Sequence, residues 1–112
     1  MGISTHILDT ALGKPAAGVA VALAVSDDGE WRELNRAETD ADGRCMKMLP
    51  ESEAMGAGVY RLRFETAQYY AAQQVRGLYP AIEITFEVLE GEQKYHIPLL
   101  LTANGYTTYR GS

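Results

Sequence analysis

The sequence predicts an all-β fold, a sandwich or barrel of about eight strands with one short helix. Three observations carry this. Glycine and Asp-Gly turn signals recur throughout, at Gly13, Gly18, Asp28-Gly29, Asp42-Gly43, Gly56 and Gly58, Gly77, Gly91 and Gly105. They cut the chain into short segments of strand length. Ile82-Glu83-Ile84-Thr85-Phe86-Glu87-Val88 alternates apolar and polar residues with period two, as a half-buried strand does. A single stretch, Ala67 to Val75, lacks alternation and is rich in Ala and Gln.

Strands are expected at about 3–9, 19–26, 30–38, 44–49, 58–65, 81–89, 94–102 and 105–110. Asp28-Gly29 joins the second and third as a tight hairpin. Val59 to Phe64 is strand-like but less regular than Ile82 to Val88. For the helix over 67–75, Thr66 is the expected N-terminal cap. Gly77 is expected to supply the left-handed residue after it, with Pro80 blocking continuation. Two segments, Val19 to Val25 and Ile97 to Leu101, are apolar on both faces. One short helix cannot cover both, so a second subunit is the expected cover.

At 112 residues the chain fits a single domain, 1–112. Its 46% hydrophobic content and lack of low-complexity stretches exclude disorder. Fifteen acidic against ten basic residues, with no Lys/Arg cluster, argue against nucleic acid or an anionic membrane as partner. Apolar runs fall well short of the ~20 residues of a membrane span, and no signal-like segment opens the chain. A cytoplasmic location is expected. The lone Cys45 reads as a small buried apolar residue.

The sequence has two histidines, His6 and His96. Neither stands in a metal-binding spacing, so no metal and no cofactor is expected. Taken singly, each is more often structural than catalytic. Arg44 follows the turn Thr39-Asp40-Ala41-Asp42-Gly43. It is either an exposed strand residue or a fixed cation that holds a carbonyl or carboxylate. The segment Gly105 to Ser112 is strand-like to its last residue, with Tyr109, Arg110 and a Ser112 carboxylate close together. An ordinary edge strand has the same composition.

Three motifs carry a resemblance to a known family. They are Ile3-Ser4-Thr5-His6-Ile7-Leu8-Asp9-Thr10 with Gly13-Lys14-Pro15-Ala16, then Thr39 to Arg44, then Tyr95-His96-Ile97-Pro98-Leu99-Leu100-Leu101 running on to Tyr106-Thr107-Thr108-Tyr109-Arg110-Gly111-Ser112. Together they span nearly the whole chain, and the chain resembles the 5-hydroxyisourate hydrolases, enzymatic relatives of transthyretin. Tyr-Arg-Gly-Ser is the most specific element. Thr102-Ala103-Asn104 departs from the Ser-Pro-containing loop usual in the family, which bears on the loop rather than the chemistry.

The resemblance implies a transthyretin-like two-sheet sandwich. It implies a homotetramer, a dimer of dimers with active sites in the channel between dimers, acting on a small molecule. His6, Arg44, His96 and Ser112 are the implied catalytic residues, with Tyr109, Arg110 and Gly111 contacting substrate. Hydrolysis of a cyclic amide needs a base, a donor and an anion stabiliser; histidine, whose unperturbed pKa is ~6.5, can take a proton at neutral pH, and a second histidine and an arginine supply the rest. Sequence does not decide which histidine is the base, and His96 is favoured. The rival readings are a transthyretin-like carrier of a small aromatic ligand and a structural domain docked on a larger enzyme. A carrier needs the channel but not this trio.

Overall fold

A computed structural model describes residues 2–112, which form two packed β-sheets. Among the described residues the order is β1 (Gly2–Asp9), β2 (Lys14–Pro15), β3 (Ala20–Asp27), β4 (Glu30–Glu38), β5 (Arg44–Cys45), β6 (Gly58–Phe64), α1 (Thr66–Ala71), β7 (Ile82–Val88), β8 (Lys94–Thr102) and β9 (Gly105–Thr108). One sheet runs β4-β3-β6-β7. The other runs β2-β1-β8-β9, and β5 also pairs with β1. β1 and β8 lie parallel. Because β8 lines the whole of β1 on one side, β2 and β5 divide the other side between them. The expected two-sheet sandwich with one short helix is what forms.

Period-two alternation builds the core. Ile3, Ile7, Leu23, Leu62, Phe64, Leu99 and Leu101 are at most 1% exposed and meet between the sheets. Each such side chain stabilises the fold by roughly 1.5–3 kcal/mol relative to exposure. Thr5 is also fully buried, and its hydroxyl donates to the Ile97 carbonyl at 2.6 Å. The Asp9 carboxylate is buried but accepts from the Tyr69 hydroxyl at 2.7 Å and the Leu12 amide at 3.1 Å. Cys45 is buried as expected, and burial, with Asp40 second, pushes its thiol up to about 11.

Several local expectations differ from the structure. The expected strand 44–49 pairs only at Arg44–Cys45. Beyond it, Met48 still donates to Ile3, while the Met48 carbonyl is taken by the Asn35 side chain. The helix is shorter than expected. Thr66 is its first residue rather than its cap, and its hydroxyl donates to the Tyr79 carbonyl. The left-handed residue that closes it is Gln74 (φ 59°), with Val75 donating to the Tyr70 carbonyl and Gln74 to that of Ala71. Gly77 serves another purpose: a Cβ there would stand 2.7 Å from the Tyr70 ring.

The two-faced apolar strand β3 finds its cover within the chain. Its outward Ala22 and Ala24 are overlain by Trp31, Arg36, Arg61 and Arg63 from the flanking strands, and the Arg61 guanidinium lies 4.4 Å from the Trp31 ring centroid. Long arginine stems cover apolar surface while their charged ends meet water and Glu83. On the outer face of β8 Pro98 is buried, with Gly111 close by, while His96 and Leu100 stay half-buried.

Gly43 fixes the turn ahead of β5. Its φ is +75°, and its carbonyl accepts from the Ile7 amide at 2.7 Å. A Cβ there would collide with the Ile7 carbonyl oxygen. The left-handed backbone alone costs a non-glycine residue about 1–2 kcal/mol. Gly43→Ala is therefore expected to destabilise by about 2 kcal/mol or more, lowering Tm by roughly 8 °C or more in calorimetry. An unchanged Tm would mean that the turn relaxes freely.

Candidate active site

Along β1 the residues Ile3, Thr5, Ile7 and Asp9 turn to the core, so Ser4, His6 and Leu8 turn the opposite way. On β8 the same rule turns Tyr95, Ile97, Leu99 and Leu101 inward, and His96, Pro98 and Leu100 outward. The parallel register sets Ser4 beside His96 and His6 beside Pro98. On the other side of β1, His6 is paired with Arg44. Both histidines and the arginine thus share the outer face of one sheet. Strand spacing and rise put the histidine Cα atoms about 8 Å apart.

The turn before Arg44 is built by Asp40. Its carboxylate accepts from the Asp42 amide at 2.9 Å and the Arg44 amide at 3.0 Å, and its backbone carbonyl accepts from Gly43. An Asx-type turn of this kind starts β5 at one residue and so fixes which face Arg44 takes. The Arg44 side chain is exposed.

His96 is half-buried between two neighbours. Its Nδ1 lies 2.7 Å from the Ser4 hydroxyl, and Ser4 is 4% exposed. From the other side Gly111 packs on the ring so closely that a Cβ would stand 2.6 Å from His96 Cδ2. Burial holds the His96 pKa below the usual histidine value, with His6, Arg44 and Lys94 adding in that order. As pH falls below ~6.5, the unfolded chain takes up this proton before the folded one does. The stability due to the neutral ring is present above that pH and is lost as pH falls through the depressed folded value. Arg44→Gln removes one of the opposing charges. His96 is then expected to titrate at a higher pH than in the parent, as read by NMR of the ring protons. An unchanged titration would mean that Arg44 does not act on His96 in solution.

The tail reaches this face by an interrupted strand. β9 stops at Thr108, which pairs with Leu99, and pairing resumes in the same register at Gly111 with His96. The gap falls opposite Pro98, which has no N–H to give the ladder. Its carbonyl accepts instead from the Thr108 hydroxyl at 2.8 Å, and the Gly111 amide donates to the His96 carbonyl at 2.8 Å. A strand over about 105–110 was the expectation; pairing instead stops at Thr108 and skips the two residues opposite Pro98 and Ile97.

Of the expected site residues, then, His6, Arg44, His96 and Gly111 come together, and Ser112 follows Gly111 at the exposed end. Tyr109 is exposed and borders a cleft of ≈ 290 Å³ between the open edges of the two sheets. Arg110 is not brought to the histidine face. Its guanidinium stacks 4.2 Å from the Tyr95 ring centroid and donates to the Lys94 carbonyl at 3.1 Å, with Glu92 at 3.5 Å. That position follows from alternation, since Arg110 falls opposite Ile97 and faces inward. Sequence reasoning passed over Ser4, although period two on β1 places it on the His6 face. Among the described residues no group of three or more His, Cys, Asp or Glu could hold a metal ion. No helix among them is long and apolar enough to cross a membrane.

A family profile described as the HIUase/Transthyretin family matches residues 3–111. A 5-hydroxyisourate hydrolase of Salmonella dublin is 44% identical over 110 residues, covering 98% of this chain and 80% of that protein. Among solved structures, 5-hydroxyisourate hydrolase of Klebsiella pneumoniae superposes with TM-score 0.86 at 34% identity, covering 100% of both chains. Sea bream transthyretin in complex with thyroxine superposes with TM-score 0.92 at 32% identity, covering 99% of this chain and 95% of that one.

Proposed function

The chain belongs to the HIUase/Transthyretin family, and from that membership we propose that it is a 5-hydroxyisourate hydrolase of urate degradation. The backbone fits the carrier and the enzyme almost equally, so the fold alone does not choose between them. The observation that carries the choice is the gathering of His6, His96 and Arg44 on one sheet face, with Gly111 on the His96 ring. A carrier of an aromatic ligand has no use for two bases and a cation at one point. The relatives named as hydrolases, at 44% identity, support the same reading.

In the proposed reaction water adds to a ring carbonyl carbon of 5-hydroxyisourate. The ring C–N bond breaks, and 2-oxo-4-hydroxy-4-carboxy-5-ureidoimidazoline forms. One histidine takes the water proton, and a proton is returned to the leaving nitrogen. Arg44 stabilises the oxyanion of the tetrahedral intermediate, an interaction of the kind worth about 2.7–4 kcal/mol in the transition state. Ser112 completes the catalytic set. Tyr109 and Gly111 border the substrate, and Arg110, assigned from sequence to substrate contact, holds the tail by its seat on Tyr95.

The reading treats residues 1–112 as one hydrolase unit that works as a homotetramer, a dimer of dimers. The half-buried Leu8 and Leu100 beside the histidines support this, because an apolar face around a polar site wants a cover. Light scattering at micromolar concentration is expected to give about four times 12.3 kDa. A stable, active monomer would remove the shared channel from the proposal. The activity itself is tested by adding the protein to urate and urate oxidase. The transient oxidation product should decay faster than it does unaided. Unchanged decay together with tight thyroxine binding would make the chain a carrier.

A further inference from the structure

We infer that Ser4 is a positioning residue that fixes the tautomer of His96, placing the ring proton on Nε2 and leaving His6 as the base. This rests on the hydrolase reading and assigns roles within its site. The Ser4 hydroxyl lies 2.7 Å from His96 Nδ1, and among the described residues that is the one hydrogen bond its side chain makes. Ser4 is 4% exposed, so water does not readily supply another partner. Two arrangements of the pair are available. If Nδ1–H donated to the serine oxygen, the serine O–H would be a buried donor with nothing to receive it. If the serine O–H donates to Nδ1, both groups are satisfied. The second arrangement leaves the neutral ring with its proton on Nε2, the nitrogen on the far side from Ser4.

A neutral Nε2–H is a hydrogen-bond donor and a poor base. The charge environment favours this form. Burial first, then His6 on β1, Arg44 on β5 and Lys94 on β8 itself, opposes a second ring proton. His96 then polarises the substrate as a neutral imidazole without giving up its proton, since loss of that proton would produce an imidazolate. The proton balance closes through His6. His6 takes one proton from the attacking water as the C–O bond forms. The resulting imidazolium returns it to the leaving nitrogen as the C–N bond breaks. His96 as the base, favoured from sequence, is the opposite assignment.

Nitrogen-proton correlation NMR of the imidazoles, at a pH where His96 is neutral, tests the tautomer without reference to activity. The parent protein is expected to show His96 with protonated Nε2 and bare Nδ1. Ser4→Ala is expected to shift the ring toward a mixture of tautomers and to lower kcat about tenfold with KM little changed. Ser4→Thr, which keeps the hydroxyl, should restore both. Protonated Nδ1 in the parent overturns the inference outright, and needs no variant to fold. A tautomer change with kcat unaltered overturns the positioning role. If the parent has the expected tautomer but no hydrolase activity, the functional reading fails while the Ser4–His96 assignment stands.

Discussion

His6→Ala and His96→Ala are each expected to lower turnover in the coupled urate oxidase assay by about 10²-fold or more, the scale of a positioned acid–base or donor group. The two should differ in stability. His6 pairs through backbone with Arg44 and Pro98, and among the described residues its side chain makes no hydrogen bond, so its loss leaves the fold nearly untouched. His96→Ala strips the Ser4 hydroxyl of its partner at a nearly buried position. That is expected to cost about 1 kcal/mol or more, visible as an earlier denaturant midpoint with unchanged m-value. Near-parent rates in both variants would end the assignment of these residues.

Deleting Tyr109 through Ser112 is expected to reduce turnover to background while circular dichroism stays that of a folded β protein. The core strands lie upstream, and β9 ends at Thr108. What the deletion removes is the backbone bond from Gly111 to His96, the Gly111 contact with the ring, and the Arg110 seat on Tyr95. Gly111→Ala is a finer version of the experiment. Its Cβ would approach His96 Cδ2 to 2.6 Å and Pro98 Cγ to 3.2 Å, so the imidazole must move. A loss of about tenfold is expected from that displacement, since small misplacements at a reacting centre are costly. Appending a tag after Ser112 should also impair turnover, because the added residues crowd the face that Gly111 shares with His96. Full activity in the folded truncation would reduce the tail to an ordinary edge strand.

Much of this architecture was legible in the residues, because alternation and turn signals are local. Ile82–Val88 forms as the strand its pattern announces, and the turn at Asp28-Gly29 joins β3 to β4. What escaped depends on partners distant in sequence. Met46 to Leu49 has strand-like composition, but Asn35 takes the Met48 carbonyl and the ladder lapses. Gln74 supplies the left-handed residue because the helix ends three residues earlier than Gly77 would need. At the site, alternation places His6 and His96 on outer faces, yet only the parallel register of β1 and β8 makes them neighbours. Ser4 stands in the first motif without a role of its own there, and gains one only from lying across that register. Arg110, quoted with its neighbours as one motif, parts from them because alternation turns it to the Tyr95 side of the sheet.

The ladder between β1 and β8 joins partners 92 residues apart, as the Ser4–His96 contact measures. During synthesis β1 is made well before β8 and must wait for the intervening strands before its parallel partner exists. Pairings so remote in sequence form slowly, and an unpaired strand carrying Ile3 and Ile7 is an aggregation hazard while it waits. Substitutions that weaken β8 should therefore appear first as poor soluble yield in the cell, with the molecules that do fold retaining normal specific activity.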